Sequence, residues 1–139
     1  MNDFKKNSRL IVLYIVYGQD QVYYDGAIFS FLTFHYWLGT DSRVEIFVLT
    51  EKPEKFDNYP VNILPISIKQ IKEWSIDGQY HFRIKNRGLA FVIDELKLKE
   101  FDKILFFDAD TYFQKNPLPL FDLIHNDQAL LYLNEGLIY

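Results

Sequence analysis

The stretch Leu10 to Tyr17, LIVLYIVY, constrains the fold more than any other part of the chain. It is apolar or aromatic throughout and stops at Gly18. A strand with one wet face would alternate apolar and polar residues. An unbroken run of this length reads instead as a strand buried on both faces, as in a parallel sheet covered by helices on either side. The run is too short to cross a bilayer, and Gly18-Gln19-Asp20 after it is no small-residue cleavage site, so neither a membrane span nor a signal core is expected.

The rest of the chain supplies the layers such a strand needs. Asp20 is placed to cap a helix reaching about Leu38, with Ile28, Phe31, Leu32, His35 and Leu38 as its inward face and Gly39 as its stop. Val44 to Leu49 reads as a second strand, Glu51 to Pro60 as a turn-rich connection, and Val61 to Leu64 as a third strand. Ser67 and Gln70 form a capping box ahead of a short helix that Asp77-Gly78 ends. A longer helix is predicted from about Phe82 to Leu98, with Leu89, Val92, Ile93 and Leu96 inward. Lys103 to Phe107 is a fourth strand. Asn116-Pro117 opens a short helix to about Ile124, and Gln128 to Leu133 reads as a last strand. Strands alternating with helices predict an α/β fold, a Rossmann-like and mostly parallel sheet flanked by helices, with Leu10–Tyr17 and Lys103–Phe107 at its centre.

Charge and cysteine content remove whole classes of function. The formal net charge is −4, so no basic stripe is at hand for nucleic acid. With no cysteine there is no disulfide scaffold, thiolate metal site or cysteine nucleophile. The expected location is cytoplasmic, including the inner face of a membrane. His35, His81 and His125 lack metal-ligand spacing; His35 reads as core and His125 as a loop residue. No glycine-rich dinucleotide or P-loop fingerprint is present.

In parallel α/β sheets, ligands sit beyond the carboxyl ends of the strands. That rule selects Gly18 to Tyr24, Thr50 to Pro53 and Asp108 to Tyr112. The third carries the strongest chemistry, since Ile104 to Phe107 leads straight into Asp108-Ala109-Asp110-Thr111. On an extended chain, residues two apart point to one side, so Asp108 and Asp110 can aim at one point around the small Ala109. Paired carboxylates repel unless a cation or proton intervenes, and an all-oxygen site suits Mg²⁺ or Mn²⁺. Arg83, Lys85 and Arg87 place positive charge at a helix start, against the dipole, and read either as a solvated basic turn or as phosphate contacts, with Arg83 and Arg87 on one face and Lys85 on another. Tyr17 fits either the core or a stacking position on a nucleobase, and Gly18 permits close backbone approach.

Three stretches together resemble the GT-A-fold nucleotide-diphospho-sugar transferases, nearest the glycogenin-like and bacterial lipopolysaccharide galactosyltransferase group. They are Leu13 to Phe31, Arg83-Ile84-Lys85, and the D-x-D segment Lys103 to Leu123. The resemblance implies a metal-dependent glycosyltransferase with a nucleotide-sugar donor, a UDP-sugar, an unspecified acceptor, and Mn²⁺ or Mg²⁺. It implies metal ligation by Asp108 and Asp110, with Asp108 also near the ribose and Asp110 near the diphosphate. It further implies diphosphate or sugar contacts from Arg83 and Lys85, and a base pocket lined by Tyr17 and Asp20. Members of that group continue well past the D-x-D to build an acceptor site. Residues 1–139 are therefore expected to be the donor-binding part of a truncated domain, leaving an apolar surface and a tendency to self-associate.

Two other readings stay open. Asp108-Ala109-Asp110-Thr111 also resembles the first motif of haloacid-dehalogenase-like phosphatases, where Asp108 would be nucleophile and Asp110 general acid. That motif normally opens its fold, however, and here it comes late. The third reading is a nucleotide-binding or assembly module without catalysis, or an inert fragment.

Overall fold

The computed structural model describes residues 8–125. Its four strands are β1 (Leu10–Val16), β2 (Val44–Thr50), β3 (Asn62–Pro65) and β4 (Lys103–Phe107). They form one sheet in the order β3-β2-β1-β4, and every pairing is parallel. β1 pairs along its length with β2, Val16 opposite Thr50, and on its other side with β4, Tyr14 opposite Phe107. Ile11 to Val16 are all buried, as the unbroken apolar run predicts.

Helices α1 (Gln21–Leu38), α2 (Ile68–Ser75), α3 (Phe82–Glu95) and α4 (Pro119–Asp122) cover both faces. Val12, Tyr14 and Val16 pack with α1 and with Phe121 of α4. Ile11, Leu13 and Ile15 pack with Ile84 and Val92 of α3 and, at the margin, with Ile71 and Trp74 of α2. The chain is thus α/β, a Rossmann-like parallel sheet between helical layers. At the amino ends of the strands Arg9 clamps the sheet, bonding Glu45 at 2.8 and 2.9 Å and the Leu96 carbonyl at 3.0 Å.

Several local expectations need correction. β4 is an edge strand among the described residues, so of the two strands expected at the centre only β1 is interior, and β2 is its interior neighbour. β3 takes the far edge of β2, and the return over α2 and α3 leaves β4 the free edge of β1. The strand expected at Gln128 to Leu133 lies outside the described residues. α1 buries Tyr24, Ala27, Phe31, Phe34 and Leu38; Phe31 and Leu38 face inward as expected and Ile28 packs at the margin, but Leu32 is exposed. His35 is not core: its Nε2 lies 2.9 Å from the Pro60 carbonyl in an exposed contact. α3 ends at Glu95, and its buried residues are Ile84, Gly88 and Val92, while Ile93 is exposed. Gly88 is what brings α3 close, because a Cβ there would sit 2.9 Å from both Ile15 Cδ1 and Leu49 Cδ2. The expected helix from Asn116 shrinks to the four residues of α4, since Asn116 Oδ1 accepts from Leu118 N–H in a side-chain turn instead.

The remaining turn signals hold. Asp20 caps α1 through Val22 N–H at 3.0 Å. Ser67 and Gln70 make both bonds of the capping box on α2. A 3₁₀ turn, Pro53–Phe56, occupies the connection after β2.

Candidate functional site

The connection from β1 runs through α1 on one face to β2, and the connection from β3 runs through α3 on the other face to β4. The order therefore reverses between β1 and β4. At such a switch point the loops leaving the two strands diverge and open a crevice at the carboxyl edge. A pocket of about 750 Å³ lies there, within the range of small-molecule and cofactor sites. Its walls include Tyr17, Gly18 and Gln19 after β1, Glu51 after β2, Lys85 on α3, and Asp108, Ala109 and Asp110 after β4.

The aspartates converge by a turn, not by strand pleating. β4 ends at Phe107, and Thr111 N–H bonds the Asp108 carbonyl at 3.1 Å, closing a turn over Asp108-Ala109-Asp110. Gly26 of α1 supports this turn directly: a Cβ at Gly26 would fall 2.6 Å from the Ala109 carbonyl oxygen, inside any tolerated contact. The segment beyond is tied down as well. Phe113 N–H bonds Thr33 Oγ1 at 3.0 Å, and Trp37 Nε1–H bonds the Phe113 carbonyl at 2.9 Å. Asp108 is partly buried and Asp110 exposed.

Lys85 Nζ meets Asp108 Oδ1 at 2.5 Å. Both side chains keep more than a third of their surface in water, so the pair stays open to exchange with other charges. Burial pushes the Tyr17 phenol above its ordinary pKa against the opposing pull of Lys85, which keeps the hydroxyl neutral and able to donate. The wall also carries Glu51, Asp77, Asp108 and Asp110 against the ammonium groups of Lys72 and Lys85. With carboxylates in excess, an anion can settle there only alongside an added cation.

The structure brings together Tyr17, Lys85, Asp108 and Asp110. It does not add Arg83 or Asp20 to that wall. Arg83 Nη1 lies 3.2 Å from the Glu73 carbonyl and 3.5 Å from the Trp74 carbonyl. It thus caps the end of α2, where the helix dipole favours a cation. Asp20 uses its carboxylate as the cap of α1. Arg87 is exposed.

Two residues escape sequence reasoning. Glu51 falls in a selected region, but nothing marks it there apart from its place after a strand. Gly26 does carry a signal: glycine inside a helix costs about 1 kcal/mol relative to alanine, so it marks close backbone approach.

The donor set suits a hard divalent cation: two carboxylates on one turn, one exposed and one half-exposed, with His81 elsewhere on the same pocket wall. Among the described residues no group of three or more metal-ligating side chains is present. Such a cation would complete its shell from water and ligand oxygens, as Mg²⁺ and Mn²⁺ commonly do. No protein-family model, curated protein or solved structure matches the chain, so the function rests on the pocket's own geometry. No helix among the described residues is long and apolar enough to cross a membrane.

Proposed function

We propose that this chain binds a nucleoside-diphosphate sugar through a divalent cation, Mn²⁺ or Mg²⁺, and is the donor-binding part of a glycosyltransferase. One observation carries the reading: the pocket at the β1/β4 switch point gathers Tyr17, Lys85, Asp108 and Asp110 from three separate parts of the chain. Asp108 and Asp110 hold the cation, which neutralises the diphosphate and the charge that grows on it as the glycosyl bond breaks. Lys85 trades its contact with Asp108 for a diphosphate oxygen. Tyr17 and the Gly18 backbone border the base end, and the neutral phenol supplies a face to stack on and a proton to donate.

Arg83 has no part in this version of the site. Its guanidinium holds α2 against the start of α3 and so affects Lys85 only through the placement of that helix.

Calorimetry of UDP binding tests the reading. Binding should require Mn²⁺ or Mg²⁺, disappear on adding EDTA, and fall at least tenfold in Asp110→Asn, the loss of one charge-assisted contact. Equal affinity with and without the chelator would remove the cation from the site.

A further inference from the structure

The outer side of α1 carries a line of large apolar side chains standing in water. Val22, Phe29 and Tyr36 follow at intervals of seven residues and are 61, 57 and 78% exposed. Leu32 falls between Phe29 and Tyr36 and is exposed as well. With Asp25 these five occupy the a and d positions of two heptads, the spacing of a seam that packs knobs into holes against another helix. The seam runs about 21 Å along the helix. It lies opposite Tyr24, Ala27, Phe31, Phe34 and Leu38, which face the sheet, so α1 is apolar on two opposed sides. A surface layer over one core needs only one such side. The flank of the seam is aromatic: Tyr112 lies beside Phe29 with ring centroids 6.0 Å apart, and Trp37 beside Tyr36 at 5.3 Å. Its rim is polar. Gln21 donates to Asp25 at 2.9 Å and accepts from Lys55 Nζ at 2.7 Å, and Gln114 bonds the Tyr112 hydroxyl at 3.0 Å. An apolar centre inside a polar rim is the anatomy of a protein interface.

We propose that a second copy of this chain covers this face, the two α1 helices packing antiparallel about a two-fold axis that passes between Phe29 and Leu32. The seam is self-complementary in that register. Phe29 lies against the partner's Leu32, and Asp25 stands opposite the partner's Tyr36, whose hydroxyl can donate to the carboxylate. The single acid of the seam then fixes the register, as one polar group in an apolar seam does. Area supports the occupant. Val22, Phe29, Leu32, Tyr36, Trp37 and Tyr112 together expose roughly 600 Å². That is as large a patch as a monomer ordinarily leaves open, and it approaches the roughly 800 Å² that each side of a stable interface contributes. Charge supports it too. α1 contains no lysine or arginine, and Asp25 is its only formal charge. The helix thus lacks the cations that hold an amphipathic helix to an anionic membrane, and antiparallel copies bring opposite ends of the two helix dipoles together. A two-fold contact uses the same patch on both chains and closes at two. The proposal is independent of the nucleotide reading.

Sedimentation equilibrium on the full chain tests it. The unaltered chain should be a dimer of 16.6 kDa protomers at about 100 µM, a modest affinity for an interface of this size. Phe29→Glu and Tyr36→Glu, both at exposed positions, should each raise the dissociation constant at least tenfold with an unchanged circular-dichroism spectrum. Asp25→Leu, which completes the seam, should lower it. The chain has no cysteine, so single cysteines report orientation. A short bismaleimide should join Phe29→Cys chains to Leu32→Cys chains more readily than either to itself. A monomer at 100 µM, association that grows past the dimer, or a dimer untouched by both glutamate variants would overturn the proposal. So would a monomer that binds phosphatidylcholine–phosphatidylglycerol vesicles and loses them in Phe29→Glu, which would give the face to a membrane.

Discussion

Arg83 and Lys85 stand two residues apart on α3, yet their cationic heads go to different partners, Arg83 to the last carbonyls of α2 and Lys85 to Asp108. Their alanine variants should therefore separate cleanly. Arg83→Ala should lower stability by about 1 kcal/mol, the loss of a helix-end contact, while the ratio of UDP to uridine affinity stays fixed. Lys85→Ala should leave the melting curve nearly unchanged and weaken UDP, but not uridine, by about 1.5–3 kcal/mol. Denaturant titration and calorimetry on the two proteins read both effects. The charge cluster and the separate direction of Lys85 were visible in the sequence, but the partners were not, because spacing along a helix fixes a direction and not what waits there. Two buried phenols set a pH limit. Burial raises Tyr14 despite its 2.7 Å bond to Ser30, and burial followed by the Glu51 charge raises Tyr24. A phenol with a raised folded pKa keeps its proton after the unfolded chain has begun to lose it. The folded state then binds more protons, and stability falls as pH rises above the ordinary tyrosine value of about 10. Urea midpoints should hold steady from pH 7 to 9 and drop above 10. A midpoint flat to pH 11 would show that these rings are not held as described.

At the scale of elements, two glycines set how closely helices approach the sheet and the site. Gly26→Ala pushes a methyl group into the Ala109 carbonyl at 2.6 Å, and neither α1 nor the aspartate turn can yield without the other. It should cost about 2 kcal/mol, as overpacking does, and reduce Mn²⁺-dependent UDP binding as well. Gly88→Ala meets only the ends of Ile15 and Leu49 at 2.9 Å. Those tips can shift, and alanine regains about 1 kcal/mol of helix propensity, so its net effect should stay within about 1 kcal/mol. Equal losses in the two variants would deny the Gly26 contact its special place. Both glycines could be flagged from sequence as helix interruptions, but not what they touch. Helix faces were harder to read. α1 leaves Val22, Phe29, Leu32 and Tyr36 exposed although they are large and apolar; with apolar groups on every side, periodicity selects no single face. The aspartate pair was legible as a motif, but its geometry was not, because a turn closed by Thr111 replaces the extended chain that alternation assumes.

At the scale of the whole molecule, the order of strands and helices followed from the apolar runs and the turn signals. The switch-point rule then selected the loops after β1, β2 and β4, and the pocket draws on all three. The sheet order itself needed the structure, since no local pattern says that β4 joins β1 on the side away from β2. The central claim is one of place: a cation and a diphosphate share the crevice between the carboxyl ends of β1 and β4. Mn²⁺ is paramagnetic and broadens nearby amide signals, so a titration of the isotope-labelled chain with Mn²⁺ and UDP locates the ion directly. Broadening should be centred on Asp108, Ala109 and Asp110, extend to Gly18, Gly26 and Lys85, and spare Asn62 to Pro65 on the far edge of the sheet. Broadening centred elsewhere, or unchanged by UDP, would contradict the account.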